Sequence, residues 1–135
     1  MKTFHNAKKK EVDWIVFDSK LEADYYLYLK WNKDVVDIKT QPVYMLQPAV
    51  KSKWLQKITY VLDFEVTYKD WHIDLVDIKG MPTEVSKLKR KMFIYQYDKP
   101  LLWLCKFKWE WVDYFDNRKR ILKNKKLKNE EMDLW

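Results

Sequence analysis

The 135-residue chain holds one cysteine, one glycine and two histidines, and each scarcity closes off chemistry. The lone Cys105 excludes an intramolecular disulfide. It ends the apolar run Leu101-Leu102-Trp103-Leu104-Cys105, so it reads as a buried thiol rather than a nucleophile, and intracellular residence is the default. Without a Cys/His cluster, structural zinc is not expected. With one glycine there is no phosphate-cradling glycine loop, so no nucleotide cofactor is expected. No stretch approaches the ~20 apolar residues that a membrane span needs, and the lysine-rich start is not followed by an apolar signal region. The expectation is a protein of the cytoplasm with no membrane partner.

What is present argues for a packed core. Hydrophobic residues make up 47% and aromatics 17% of the chain, which excludes general disorder. One domain over residues 1–115 is expected, including a loose basic arm at 1–10 in which His5 is an exposed bystander. A basic tail or helix follows at 116–135. The net charge of +7 points to a polyanionic partner.

The chain is organised around residues 59–80. Two β-branched and aromatic segments, 59–68 and 71–80, flank the polar pair Lys69-Asp70 and read as a strand hairpin. Alternation puts Tyr60, Leu62, Phe64, Val66 and Tyr68 on one apolar face and Asp63 on the other, where a carboxylate is costly unless paired. Asp77 and Lys79 share a face of the second strand. A carboxylate in each of two neighbouring strands, with a lysine two residues on, is a constellation for metal-assisted hydrolysis. It depends on register. A two-residue turn would set Asp63 opposite Val76, whereas a loop Lys69-Asp70-Trp71 sets Asp63 opposite Asp77. Lys69-Asp70 lacks the glycine that tight turns favour, so the second register is expected.

The remaining elements frame this hairpin. Residues 12–17 read as one short strand. Ser19 and Glu22 have capping-box spacing at the start of a helix that carries Leu21, Tyr25, Tyr28 and Leu29 to about Trp31. Glu22 has two competing readings, cap partner or third acid aimed at the metal site from a helix end. Residues 35–39 form a short segment, and 41–48 form a proline-bounded strand. Residues 49–56 are a basic connection with Lys51, Lys53 and Trp54. Gly80 suggests a backbone turn that no other residue fits. Thr83 caps a second helix whose buried stripe is read as Val85, Leu88, Met92 and Tyr95. On another face of that helix, Lys87, Lys89, Arg90 and Lys91 are either a solvated surface or a phosphate-contacting one. The run after Pro100 reads as a doubly buried strand following a crossover. Arg118, Lys119 and Arg120 open a basic run that is either a nucleic-acid arm or a solubilising tail.

Taken together, Phe17-Asp18-Ser19-Lys20-Leu21-Glu22-Ala23 at a helix start, Tyr60-Val61-Leu62-Asp63-Phe64, and Asp77-Ile78-Lys79-Gly80 before a lysine-rich helix resemble the PD-(D/E)xK nuclease superfamily. The resemblance covers residues 12–105 and is nearest to small phage-encoded members akin to Holliday-junction resolvases. It implies a restriction-endonuclease-like α/β (α+β) core, a central mixed sheet with antiparallel hairpins flanked by helices, in the order α-β-β-β-α-β. It implies Glu22, Asp63, Asp77 and Lys79 as catalytic residues. Mg²⁺, or Mn²⁺ in its place, would be held by Asp63, Asp77 and the Ile78 carbonyl, with Glu22 completing the shell. DNA would be the substrate and a homodimer the working form, in phage recombination, replication or packaging in the host cytoplasm. Val76 stands where such members often carry a further acid. Two other readings stay open: a non-catalytic nucleic-acid-binding module that uses the abundant Trp and Tyr, and a nuclease subunit active only with a partner protein.

Overall fold

The computed structural model describes residues 9–115. Strands β1 (Lys10–Val12) and β2 (Ile15–Phe17) lead into helix α1 (Lys20–Lys30). Strands β3 (Val35–Thr40), β4 (Val43–Gln47), β5 (Ile58–Val61), β6 (Phe64–Tyr68) and β7 (Ile73–Ile78) follow. Helix α2 (Glu84–Gln96), β8 (Leu101–Phe107) and β9 (Glu110–Asp113) complete the described chain. The protein is mixed α/β. Its central sheet has five strands in the order β3-β6-β7-β8-β9, and two-stranded ribbons β1-β2 and β4-β5 stand beside it. Every neighbouring pair in the central sheet is antiparallel except β7 and β8, which are parallel. A parallel pair needs a crossover, and α2 supplies it.

Two apolar clusters follow from strand alternation. Val76 and Ile78 point to one side of β7 and join Phe17, Tyr25, Tyr26, Leu29, Phe64 and Val66. Leu75 points to the other side and joins Leu46, Tyr60, Leu62 and Phe93. Thus α1 closes one face of the sheet, and α2 with the β4-β5 ribbon closes the other. Both helices begin on the expected caps. Ser19 Oγ accepts from Glu22 N at 3.1 Å. Thr83 Oγ1 accepts from Ser86 N at 3.1 Å, and Ser86 Oγ accepts from Thr83 N at 2.9 Å. Each cap satisfies amides that the first helical turn leaves without partners. Cys105 is buried in β8 as expected.

The hairpin loop sets the register as expected. Tyr68 N donates to His72 O at 3.0 Å and Trp71 N to Tyr68 O at 2.9 Å, leaving Lys69-Asp70-Trp71 as a three-residue loop. Trp71 takes the left-handed conformation, with φ 68°, that such a loop requires at its last position. The Tyr68 and His72 rings stack at 4.3 Å across the hairpin, and His72 N donates to Asp70 Oδ1 at 3.2 Å. Phe64 therefore pairs with Val76 and Val66 with Asp74.

Several expectations are corrected. Residues 12–17 are not one strand; they hold the end of β1, a turn at Asp13-Trp14 (φ 51° and 66°), and β2. Residues 59–68 do not form one strand with one apolar face. The chain breaks at Leu62-Asp63, where Leu62 N donates to Pro42 O, and Asp63 O accepts from Gln41 N. Tyr60 and Leu62 then serve the α2 cluster while Phe64 and Val66 serve the α1 cluster. The expected buried stripe of α2 is largely outside: Val85, Leu88 and Tyr95 are exposed, and Phe93 is buried instead. Helical period fixes spacing but not which of two apolar arcs faces the sheet. Tyr28 of the α1 stripe is likewise exposed, with Tyr26 and Ala23 buried in its place. Gly80 meets no special demand: φ is not positive, and a Cβ there would touch nothing within 4 Å. The left-handed turns are made by other residues, Trp14, Trp54, Trp71 and Trp109 among them. Residues 1–8, with His5, and 116–135, with Arg118, Lys119 and Arg120, lie outside the described residues. Among the described residues, no helix is long and apolar enough to cross a membrane.

Phe93 is fully buried and packs edge-on against Tyr44 (5.1 Å) and Tyr60 (6.0 Å). Phe93→Ala should therefore cost about 3–5 kcal/mol in urea unfolding. A loss under about 1 kcal/mol would contradict this account of how α2 and the ribbon are held together.

Candidate active site

Asp63 lies one residue before the Phe64–Val76 pair, and its N donates to Val76 O at 3.1 Å, so Asp63 and Phe64 both oppose Val76 as in a bulge. Across this irregular step the Asp63 carboxyl meets that of Asp77. Asp77 is the one charged residue among the buried set, at 4% exposure. Its Oδ2 accepts from Tyr60 Oη at 2.6 Å and pairs with Lys79 Nζ at 3.0 Å. Tyr60 Oη in turn accepts from Trp103 Nε1 at 2.8 Å. Trp103 lies beside Asp77 in the parallel β7-β8 register, and the Lys79 ammonium sits 5.1 Å from the Trp103 ring. The lysine is anchored by its own amide, which donates to Leu104 O at 2.8 Å, while its side chain keeps 18% exposure at the rim.

Asp63 Oδ2 accepts the Ile78 amide at 2.7 Å. The expected role of Ile78 was its carbonyl; the contact formed is through its N–H. Burial pushes the Asp63 carboxyl far above the usual carboxylate range, with Asp77 second as hydrogen-bond partner and as like charge, and Glu22 adding to both. Burial thus favours the protonated form of the Asp63 carboxyl. Tyr60 is raised as well, by burial first and then by Asp77.

Glu22 stands at the first turn of α1. Burial raises its carboxyl, followed by the charge of Asp18, while a Ser19 hydrogen bond and an Asp18 backbone contact lower it. The Asp77 charge also reaches it. The cap and the acidic site thus meet at one side chain. Among the described residues, no group of three or more His, Cys, Asp or Glu side chains gathers closely enough to hold a metal ion. The donor set is two neighbouring carboxyls, with Glu22 reaching them through its charge. Carboxyl oxygens are the hard donors that a divalent cation takes.

The basic face expected on α2 is divided. Lys87 and Lys91 are exposed and Lys89 is half-buried. Lys87 pairs with Glu84 at 3.2 Å. Arg90 instead turns inward, its guanidinium 3.9 Å from the Phe115 ring and 5.5 Å from Trp103, with Nε buried and unpartnered among the described residues. Burial lowers its pKa. Sequence reasoning missed Tyr60, Trp103 and Arg90 as parts of the site wall. Tyr60 and Trp103 were legible only as apolar positions, although a buried phenol or indole usually needs a partner for its polar end.

Residues 2–110 match the family model described as a protein of unknown function (DUF1064), and the chain belongs to that family. No curated protein and no solved structure matches the chain.

The raised Asp63 carboxyl has a sign that can be tested. The folded pKa of Asp63 lies above its unfolded value, so folding takes up a proton between the two. Stability is then lost as pH rises through that window, from about 4 towards about 9. Asp63→Asn keeps an acceptor for the Ile78 amide and removes the titration. In metal-free buffer its melting temperature at pH 8 should exceed that of the wild type, with the gap closing towards pH 4. An equal gap at both pH values would contradict the raised Asp63 carboxyl.

Proposed function

We propose that this protein is a metal-dependent DNA endonuclease of the PD-(D/E)xK type, acting on branched DNA of the Holliday-junction kind. The observation that carries the reading is the Asp63 carboxyl beside that of Asp77, with the Lys79 ammonium on the Asp77 carboxylate. The chain order supports it. With the β4-β5 ribbon set aside as an insertion, α1-β3-β6-β7-α2-β8 follows the α-β-β-β-α-β order of a restriction-endonuclease-like core.

Phosphodiesters are anionic and repel hydroxide, so their hydrolysis needs charge neutralisation and an activated water. Asp63 and Asp77, with the Ile78 carbonyl and Glu22 at the margin, would hold Mg²⁺ or Mn²⁺, which supplies Lewis acidity and a lowered pKa for water. The protein groups divide the remaining work. Tyr60 and Lys79 aim the Asp77 carboxylate. Asp63 would serve as a ligand in its ionised form, its proton passing to solvent. Lys79 stabilises charge that builds on the phosphate or orients the attacking water. Glu22 positions a water from the helix end. Lys87, Lys89 and Lys91 face the DNA backbone, and Arg90 braces the aromatic wall of Trp103 and Phe115. A homodimer fits the symmetric cutting of two strands.

The exposed tryptophans Trp14, Trp54, Trp71 and Trp109 favour a second reading, a non-catalytic module that stacks on DNA bases. One assay separates the two. Supercoiled plasmid and a synthetic four-way junction are incubated with Mg²⁺, Mn²⁺ or EDTA, using wild type, Asp77→Ala and Lys79→Ala. Metal-dependent cutting, reduced on the order of 100-fold or more in both variants, is the expected result. Salt-sensitive binding with no cutting would favour the binding module, or a nuclease that waits for a partner protein.

A further inference from the structure

The β4-β5 ribbon has no place in the central sheet, and the catalytic reading uses only Tyr60 from it. Two strands alone are marginally stable in water. Here the ribbon is clamped to α2. Tyr44 packs on Phe93 at 5.1 Å and on Tyr97 at 5.3 Å, and Tyr97 Oη donates to Met45 O at 2.7 Å. Tyr60 of β5 bonds Asp77 at 2.6 Å, so the ribbon is also tied to the acidic pair. Its tip is ordered. Val50 and Leu55 exchange backbone hydrogen bonds of 3.0 and 3.1 Å, a 3-10 turn spans Lys51–Lys53, and Trp54 follows in the left-handed conformation at φ 58°. The Trp54 ring is 94% exposed.

Charge on the ribbon is of one sign. Residues 41–62 contain no Asp or Glu, although the chain has 20 acids. Lys51, Lys53 and Lys57 are exposed, and among the described residues none is in an ion pair. Lys57 to Thr59, where β5 meets the tip, line one groove with Val85, Leu88 and Lys89 of α2, the helix that follows Lys79. The basic tip therefore stands beside the helix next to the acidic pair.

We infer that the β4-β5 ribbon is an arm that grips duplex DNA beside the cleavage site. Lys51, Lys53 and Lys57 contact backbone phosphates and Trp54 lies against a base step. This rests on the DNA reading of the Asp63–Asp77 site and adds a surface to it. The major groove is wide enough for a two-stranded ribbon. An exposed ring at the end of a basic arm is a shape that stacks on or wedges between bases. From Trp54 to Tyr60 the chain spans at most about 20 Å, so the arm reaches several base pairs from the acidic pair.

The test measures binding apart from cutting. A fluorescein-labelled duplex of about 30 base pairs is titrated in EDTA over a NaCl series, using wild type, the triple variant Lys51→Ala/Lys53→Ala/Lys57→Ala, Trp54→Ala, and the control Lys33→Ala/Lys69→Ala. The control removes exposed lysines placed elsewhere. Circular dichroism checks that each variant is folded. The triple variant should weaken binding and lower the salt slope by about 2–3, at about 0.9 per phosphate contact. Trp54→Ala should abolish most of the tryptophan quenching by duplex, and the control should keep the wild-type tryptophan quenching. Under cleavage conditions the triple variant should raise KM more than it lowers kcat. Unchanged affinity and slope in the triple variant, or equal losses in the control, would overturn the arm. If the wild type cuts DNA in that case, the nuclease reading stands. If the slope depends on the arm but nothing is cut, the arm stands and the catalytic reading fails.

Discussion

Everything at the site depends on the pairing register of β6 and β7. Asp63 N reaches Val76 O, already opposite Phe64, so the irregular step that carries the Asp63 carboxyl is built on that register. The register is held at the far end of the hairpin, by the three-residue loop and the Tyr68–His72 stack. It is held again at the near end by Asp63 N on Val76 O and Ile78 N on Asp63 Oδ2. The outcome is two carboxyls side by side, one buried and one partly buried. Burial and the neighbouring Asp77 hold the Asp63 carboxyl above the usual carboxylate range. Tyr60, Trp103 and Lys79 are spent on holding one of those carboxyls still.

The break at Leu62-Asp63 follows from the same constraint. An uninterrupted strand would send Leu62 and Phe64 to one face. By turning there, the chain gives Leu62 and Tyr60 to the α2 cluster and Phe64 to the α1 cluster. It also lets β5 leave the central sheet and pair with β4. The phenol of Tyr60 is thereby brought over Asp77, which a strand continuing in β6 register could not do. One irregularity thus builds the site wall and projects the basic ribbon.

Much of this was legible in the sequence because it rests on local rules. The caps at Ser19 and Thr83, the buried β8 and the three-residue hairpin loop all follow from spacing and turn chemistry. What was not legible rests on tertiary choice. Two apolar arcs compete on α2, and only the position of Tyr44 and Leu75 decides that Phe93 turns inward and Leu88 outward. The hairpin turn at Asp13-Trp14 was hidden because its positive φ values fall on an aspartate and a tryptophan rather than on glycine. Tyr60 and Trp103 were visible as apolar residues, but their polar ends acquire meaning only once β5, β7 and β8 converge.

The proposed divalent-cation site at the Asp63 and Asp77 carboxyls is what the nuclease reading turns on. Mn²⁺ binding followed by electron paramagnetic resonance tests it without reference to any substrate. The account predicts one Mn²⁺ per wild-type chain, displaced by Mg²⁺, with affinity lost in a folded Asp77→Asn variant. Failure of the wild type to bind Mn²⁺, or equal binding by the variant, would contradict it.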